Sequence, residues 1–209
     1  MDLSDPTRAV TGTLDGPVLA VLAGSGKPMT VGEVAALTAR GSEVGVRKSL
    51  GRLVEQGIVR ATEMGRNRVH ELNRDHVAAP IAEALAGLRL ALWKKFRGTL
   101  GAWNPKPVFG CVFGSAARGD GDASSDIDLL LVVVGQLTAR QAAKWDRQVA
   151  QLHDLVPAWT GNPLQVVEMS VSEWADHRRR RTALFTEIDR DGIQVAGETS
   201  LMSARTGRA

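Results

Sequence analysis

The stretch Gly110-Cys-Val-Phe-Gly-Ser-Ala-Ala-Arg-Gly-Asp-Gly-Asp-Ala-Ser-Ser-Asp-Ile-Asp-Leu-Leu-Leu-Val-Val-Val134 decides the fold. The apolar run from Val108 to Phe113 predicts a strand, Gly114-Ser115 opens a turn of small residues, and a loop of Gly, Asp and Ser follows. Asp126-Ile127-Asp128 then leads into a second apolar strand. Side chains alternate across a strand, so Asp126 and Asp128 leave the same face at its start. Two carboxylates so placed repel each other unless a proton or cation intervenes, and hard oxygen ligands suit Mg²⁺. Gly114 lets backbone N–H groups approach a polyphosphate, Ser115 adds a hydroxyl and Arg118 a fixed-charge fork. The pattern sets a metal and a phosphate chain side by side.

Gly114-Ser115, ten residues, then Asp126-x-Asp128, with Ala117-Arg118-Gly119 inside the loop and Ser125 before the first aspartate, resembles the signature of the DNA polymerase β-type nucleotidyltransferases, in particular their minimal group. The resemblance covers residues 105 to 197. It implies Mg²⁺-dependent transfer of a nucleoside monophosphate from a nucleoside triphosphate to a hydroxyl, with release of pyrophosphate. It further implies two Mg²⁺ ions on Asp126 and Asp128 when nucleotide is bound, and a nucleotide held by Gly114, Ser115, Arg118 and Ser125. The acceptor it suggests is a protein, for example a toxin partner silenced by adenylylation, with a drug-like molecule or an RNA as alternatives.

Such transferases usually carry a third carboxylate on a neighbouring strand. The matching position here is Gln165, which cannot serve as a base at neutral pH. Glu168 is the candidate for that catalytic role, on condition that the strand bulges or shifts register, since three steps along an ideal strand lead to the opposite face. Two other outcomes stay open: a reaction that needs no protein base, or a domain that only binds or senses nucleotide.

Upstream, an apolar helix from Gly16 ends at Gly24-Ser25-Gly26. Thr30 with Glu33 forms a capping box for the next helix, and Ser42 to Gln56 forms a third that Gly57 ends. Two strands, Ile58 to Thr62 and Val69 to Leu72, follow around Glu63 to Arg68. Three helices and a hairpin in this order resemble a winged helix-turn-helix over residues 13 to 75. That resemblance implies DNA binding, with Arg47, Lys48 and Arg52 of the third helix at the major groove and Arg66 and Arg68 of the wing on phosphates or the minor groove. Residues 76–104 read as a linker helix whose Ile81, Leu85, Leu88, Leu92 and Phe96 recur at near-heptad spacing, a candidate seam for a homodimer. The two prolines of Asn104-Pro105-Lys106-Pro107 mark the boundary of the second domain, 105–198.

Beyond the second motif strand, the pattern predicts a helix from Thr138 to Val156, a loop from Pro157 to Pro163 and a strand from Leu164 to Ser170. A helix capped by Ser172 carries Trp174 and the run Arg178 to Arg181. A helix at Leu184 to Asp189 and a strand at Ile193 to Ala196 complete an α+β fold with a mixed sheet flanked by helices. Residues 1–12 are expected to fray, and 199–209 to form a disordered tail.

Composition agrees with a globular protein: 209 residues, 44% hydrophobic and 23% charged. No apolar run is long enough for a membrane span and no signal peptide is evident, so a cytoplasmic location is expected. The net charge of +3 is small, which leaves nucleic-acid binding to local arginine clusters. A single cysteine, Cys111, excludes an internal disulfide, and the four histidines lack metal-ligand spacing.

Overall fold

The computed structural model describes residues 1–197. The expected tail lies outside them. The chain divides into two compact units, one from Asp2 to Ala91, the other from Leu92 onward together with Met1.

The first unit runs 3-10 turn Pro6–Ala9, α1 Asp15–Gly24, β1 Met29–Thr30, α2 Val31–Leu37, α3 Glu43–Glu55, β2 Val59–Met64, β3 Asn67–Leu72 and α4 Ala79–Ala86. Thr30 and Glu33 close the capping box on α2, and the Ser42 hydroxyl accepts from the Gly45 N–H to start α3. The strands form an antiparallel sheet in the order β1-β3-β2. Val18, Leu22, Val34, Val46 and Leu50, all nearly or wholly buried, gather the helices into one core. The hairpin is tighter than expected. Met64 pairs with Asn67 across the two-residue turn Gly65-Arg66, and Gly65 takes a φ of 64°, the left-handed conformation that lets both strands run to the tip.

Residues 1–12 do not fray. Asp5 is 4% exposed and accepts from Arg40 Nε at 2.6 Å, while Leu3 is fully buried. A partly buried ion pair and a buried leucine hold this segment, a tie that polar composition concealed. The expected linker helix also differs, because it is two helices. The first is α4, whose Ala79 and Ala82 join the first core; α5, Leu88–Gly101, begins after Gly87. The near-heptad stripe is therefore not continuous: Ile81 is 64% exposed, whereas Leu92 and Phe96 are buried.

In the second unit, α5 leads to β4 Phe109–Phe113, α6 Gly114–Arg118, β5 Ile127–Val133, α7 Ala139–Thr160, β6 Leu164–Ser170, α8 Val171–Arg180, α9 Ala183–Asp191 and β7 Ile193–Gly197. The sheet order is β6-β5-β4-β7, with β5 and β6 parallel and β4 antiparallel to both its neighbours. Leu130 and Val132 of β5 face Trp174 of α8 and Phe185 and Ile188 of α9 in one core cluster. Trp145 of α7 packs edge-on against Trp103. Two boundaries move. The α7 helix continues through Pro157 to Thr160, and Ser170, not Ser172, caps α8 in a capping box with Glu173.

Candidate active site

The β4-to-β5 connection builds the site. Every residue of β4 is buried, and the chain leaves it through Gly114 at φ 68°. A side chain is excluded there on two grounds: the left-handed conformation, and a Cβ that would stand 2.3 Å from Asp128 Oδ2. The carboxylate of Asp128 thus lies close beside Gly114. Ser115 follows on the short α6, and its carbonyl accepts from the N–H groups of Gly119, Asp120 and Gly121, curling the loop back over it.

The loop is braced from within and from below. Asp122 Oδ1 accepts from the Ser124 N–H at 2.8 Å and the hydroxyls of Ser124 and Ser125 at 2.7 and 3.0 Å, and the Asp122 N–H donates to Ser125 Oγ at 3.0 Å. These bonds to the ionised form hold the Asp122 carboxyl below its ordinary range. Beneath the loop, fully buried Asn162 donates through Nδ2 to the carbonyls of Asp122 and Ser125 at 3.1 and 2.9 Å. Ser125, expected to hold nucleotide, has its hydroxyl engaged in closing the loop. Asn162 escaped the sequence reading because it falls in the expected loop from Pro157 to Pro163, where a polar residue reads as ordinary turn chemistry.

Asp126 stands just before β5 and Asp128 within it, both half-buried, and near enough that the charge of Asp126 is felt at Asp128. Burial, then the negative charges of Asp126 and Glu187, push the Asp128 carboxyl above its ordinary value, while Arg118 opposes the rise. A half-buried carboxylate repelled by two others is a place that a cation relieves, so the donor set fits Mg²⁺. Among the described residues no group of three or more His, Cys, Asp or Glu side chains is placed to hold a metal ion.

The unbroken parallel register places Gln165 opposite Asp128 and Glu168 opposite Leu131. No bulge intervenes, so Glu168 lies on the other face of the sheet, where its Oε2 accepts from Trp145 Nε1. The expectation that Glu168 joins the aspartates is thereby corrected. The acid that does face the site is Glu187 of α9, whose Oε1 accepts from Arg118 Nη1 at 2.7 Å. Arg118 Nε also donates to Asp120 Oδ2, at 3.0 Å.

The residues expected at DNA belong to the first unit. Arg47 pairs with Glu43 at 2.8 Å and Arg52 with Asp15 at 2.7 Å, all partly or well exposed. Lys48, Arg66 and Arg68 are exposed, Arg66 in the hairpin turn and Arg68 cross-strand from Glu63.

With this geometry in place, similarity to known proteins can be set beside it. Residues 94–180 match the family model described as "Nucleotidyltransferase domain", a span that holds β4, the loop, β5, α7, β6 and α8. No curated protein matches the chain. Among solved structures, the chain is 20% identical to a toxin-antitoxin crystallised with AMP-PNP, with 52% of this chain and 75% of that chain covered and a TM-score of 0.35. It is also 20% identical to a mutant of the toxin-antitoxin MntA-HpeT, with 51% and 73% covered and a TM-score of 0.32. Likenesses of that extent leave activity and partners to the site itself. No described helix is long and apolar enough to cross a membrane.

Proposed function

We propose that the second unit transfers a nucleoside monophosphate from a nucleoside triphosphate to a hydroxyl of a partner protein, and that the first unit brings it to DNA. The observation that supports the first part is the closeness of Asp128 to Gly114, where a Cβ would stand 2.3 Å from Asp128 Oδ2, so that a carboxylate and a glycine turn suited to phosphate are neighbours. Asp126 and Asp128 would hold Mg²⁺, which offsets charge on the phosphates and acidifies a bound hydroxyl. Gly114 and Ser115 hold the phosphate chain, Arg118 offsets charge as pyrophosphate leaves, and Asn162 with Asp122 and Ser125 keeps the loop in register. In the first unit, α3 with Lys48 and the hairpin tip with Arg66 and Arg68 support a winged-helix reading, with Arg47 and Arg52 available once their surface pairs open. A cytoplasmic homodimer on two half-sites fits that reading.

A second reading is favoured by Gln165, which stands beside Asp128 with no proton-accepting group: a DNA-binding regulator that senses nucleotide and does not turn it over. Incubation with α-³²P nucleoside triphosphates and Mg²⁺, in the presence of a host lysate, separates the two. Label on a protein with the wild type, absent with Asp126→Ala/Asp128→Ala, supports the transferase. Nucleotide binding without any labelled product supports the sensor.

A further inference from the structure

Arg118 is the cation expected to meet phosphate, yet its guanidinium faces two carboxylates. Nε donates to Asp120 and Nη1 to Glu187, so the group of three carries a net negative charge. Asp126 and Asp128 add to it. A phosphate approaching this arginine meets repulsion until one of the pairs opens.

The two pairs differ in how firmly they are anchored. Asp120 is 60% exposed and sits two residues from Arg118 in the loop, so it moves with the arginine's own segment. Glu187 is 33% exposed and rises from α9 between Phe185 and Ile188, both fully buried in the sheet's core. Its backbone is fixed, and only its side chain and that of Arg118 can turn. A second pair on the same helix, Arg190 with Asp191 at 2.7 Å, lies near enough that Glu187 is felt at Arg190 and Arg118 at both, yet only Arg118 is hydrogen-bonded to Glu187.

We propose that Glu187 is a latch on the nucleotide site: it competes with the phosphates of a nucleoside triphosphate for the Arg118 guanidinium, and binding exchanges one partner for the other. The proposal rests on the nucleotide-binding reading above and makes Glu187 a positioning residue that acts through Arg118. It gives α9, 69 residues from Arg118 in sequence, a part in setting affinity. Without the Glu187 carboxylate the Nη1 side of the guanidinium is free to meet phosphate while Nε keeps Asp120, whereas a latch that simply oriented Arg118 for phosphate would have the opposite effect when removed.

The test is isothermal titration of the full chain with each of the four α,β-non-hydrolysable nucleoside triphosphates in Mg²⁺, in wild type, Glu187→Gln, Arg118→Met and the double variant. Partly exposed ion pairs of this kind correspond to a factor of up to about fivefold, so Glu187→Gln is expected to tighten binding by roughly that factor. In the Arg118→Met background the same change is expected to do nothing. Equal tightening in both backgrounds overturns the latch, because it reports only the removal of a nearby negative charge. Weaker binding in Glu187→Gln also overturns it, because the pair then supports the phosphate-binding arrangement. If neither the wild type nor Glu187→Gln binds any of the four nucleotides, the nucleotide-binding reading falls and the latch with it, a result distinct from binding that is uncoupled from Arg118. Thermal melts of the four proteins keep a folding defect from passing as a change in affinity.

Discussion

The two faces of the second unit's sheet hold acids in opposite circumstances. On one face Asp128 lies against the Gly114 backbone, half-buried, with Asp126 and Glu187 raising its proton affinity. On the other, Glu168 accepts from the indole of Trp145, which is 3% exposed on α7. The first carboxylate is costly to the fold and the second helps to hold it. A group kept where it destabilises the folded chain is better explained by what it binds than by what it packs against.

The sharpest way to break this comparison is to remove the charge on each face. Asp126→Asn and Asp128→Asn are each expected to lower nucleotidyl transfer by about 10³-fold, the scale of the several kcal/mol a metal contributes to a developing charge. Glu168→Gln, which keeps an acceptor for Trp145, is expected to leave transfer near the wild-type rate in the same label assay. A loss in Glu168→Gln as large as in Asp128→Asn would return Glu168 to the catalytic set.

Stability should move the other way at Asp128. Its folded proton affinity lies above the ordinary value of 3.8, so the folded state binds more protons than the unfolded state as pH rises from that value. Stability attributable to this group is therefore present at low pH and lost as pH climbs through the folded pKa. Asp128→Asn is expected to melt higher than wild type at pH 7, with the advantage gone below about pH 3.8. Added Mg²⁺ should raise the wild-type melting temperature at pH 7 and have little effect on the variant.

Backbone strain gives the next smaller effect. Gly114→Ala combines a φ of 68° with a Cβ 2.3 Å from Asp128 Oδ2, and is expected to cost about 1–3 kcal/mol by denaturant unfolding. Asn162→Ala removes two donor bonds beneath the loop and leaves two carbonyls unpaired, for a similar loss of about 1–3 kcal/mol. It should also weaken nucleotide binding, since the loop loses its floor. A destabilised Asn162→Ala that binds nucleotide as wild type does would show the brace to be merely structural.

How much of this was readable from the chain follows the range of the forces involved. The strand–turn–strand placement of Gly114 and Asp128 was legible because strand alternation and the freedom of glycine are local rules. The disqualification of Glu168 was legible in part: alternation already pointed it away, and only the unbroken register with β5 could settle it. Glu187 was invisible, because an acid on an amphipathic helix reads as a solvated face until the helix is seen packed beside α6. Ser125 misled for the opposite reason: its place beside the first aspartate suggested a ligand, while a nearer carboxylate, Asp122, had taken its hydroxyl. The early residues were misjudged because a partly buried Asp5–Arg40 pair, 35 residues apart, leaves no local trace.

The smallest expected effects fall on the first unit, where the comparison is between cations that are paired and cations that are not. Arg47 and Arg52 are each within 2.8 Å of a carboxylate, and a phosphate must first displace Glu43 or Asp15. Lys48 and Arg66 have no ion pair of that kind among the described residues, so their charge is available at once to a polyanion. If α3 and the hairpin tip meet DNA, Lys48→Ala and Arg66→Ala should each weaken binding to a mixed-sequence duplex and lower the slope of log affinity against log salt by about 1. Arg47→Ala and Arg52→Ala should change the slope by less, because part of each charge is already neutralised. Slopes that do not change in any of the four would remove this surface from the DNA reading and leave the proposed nucleotidyl transfer untouched.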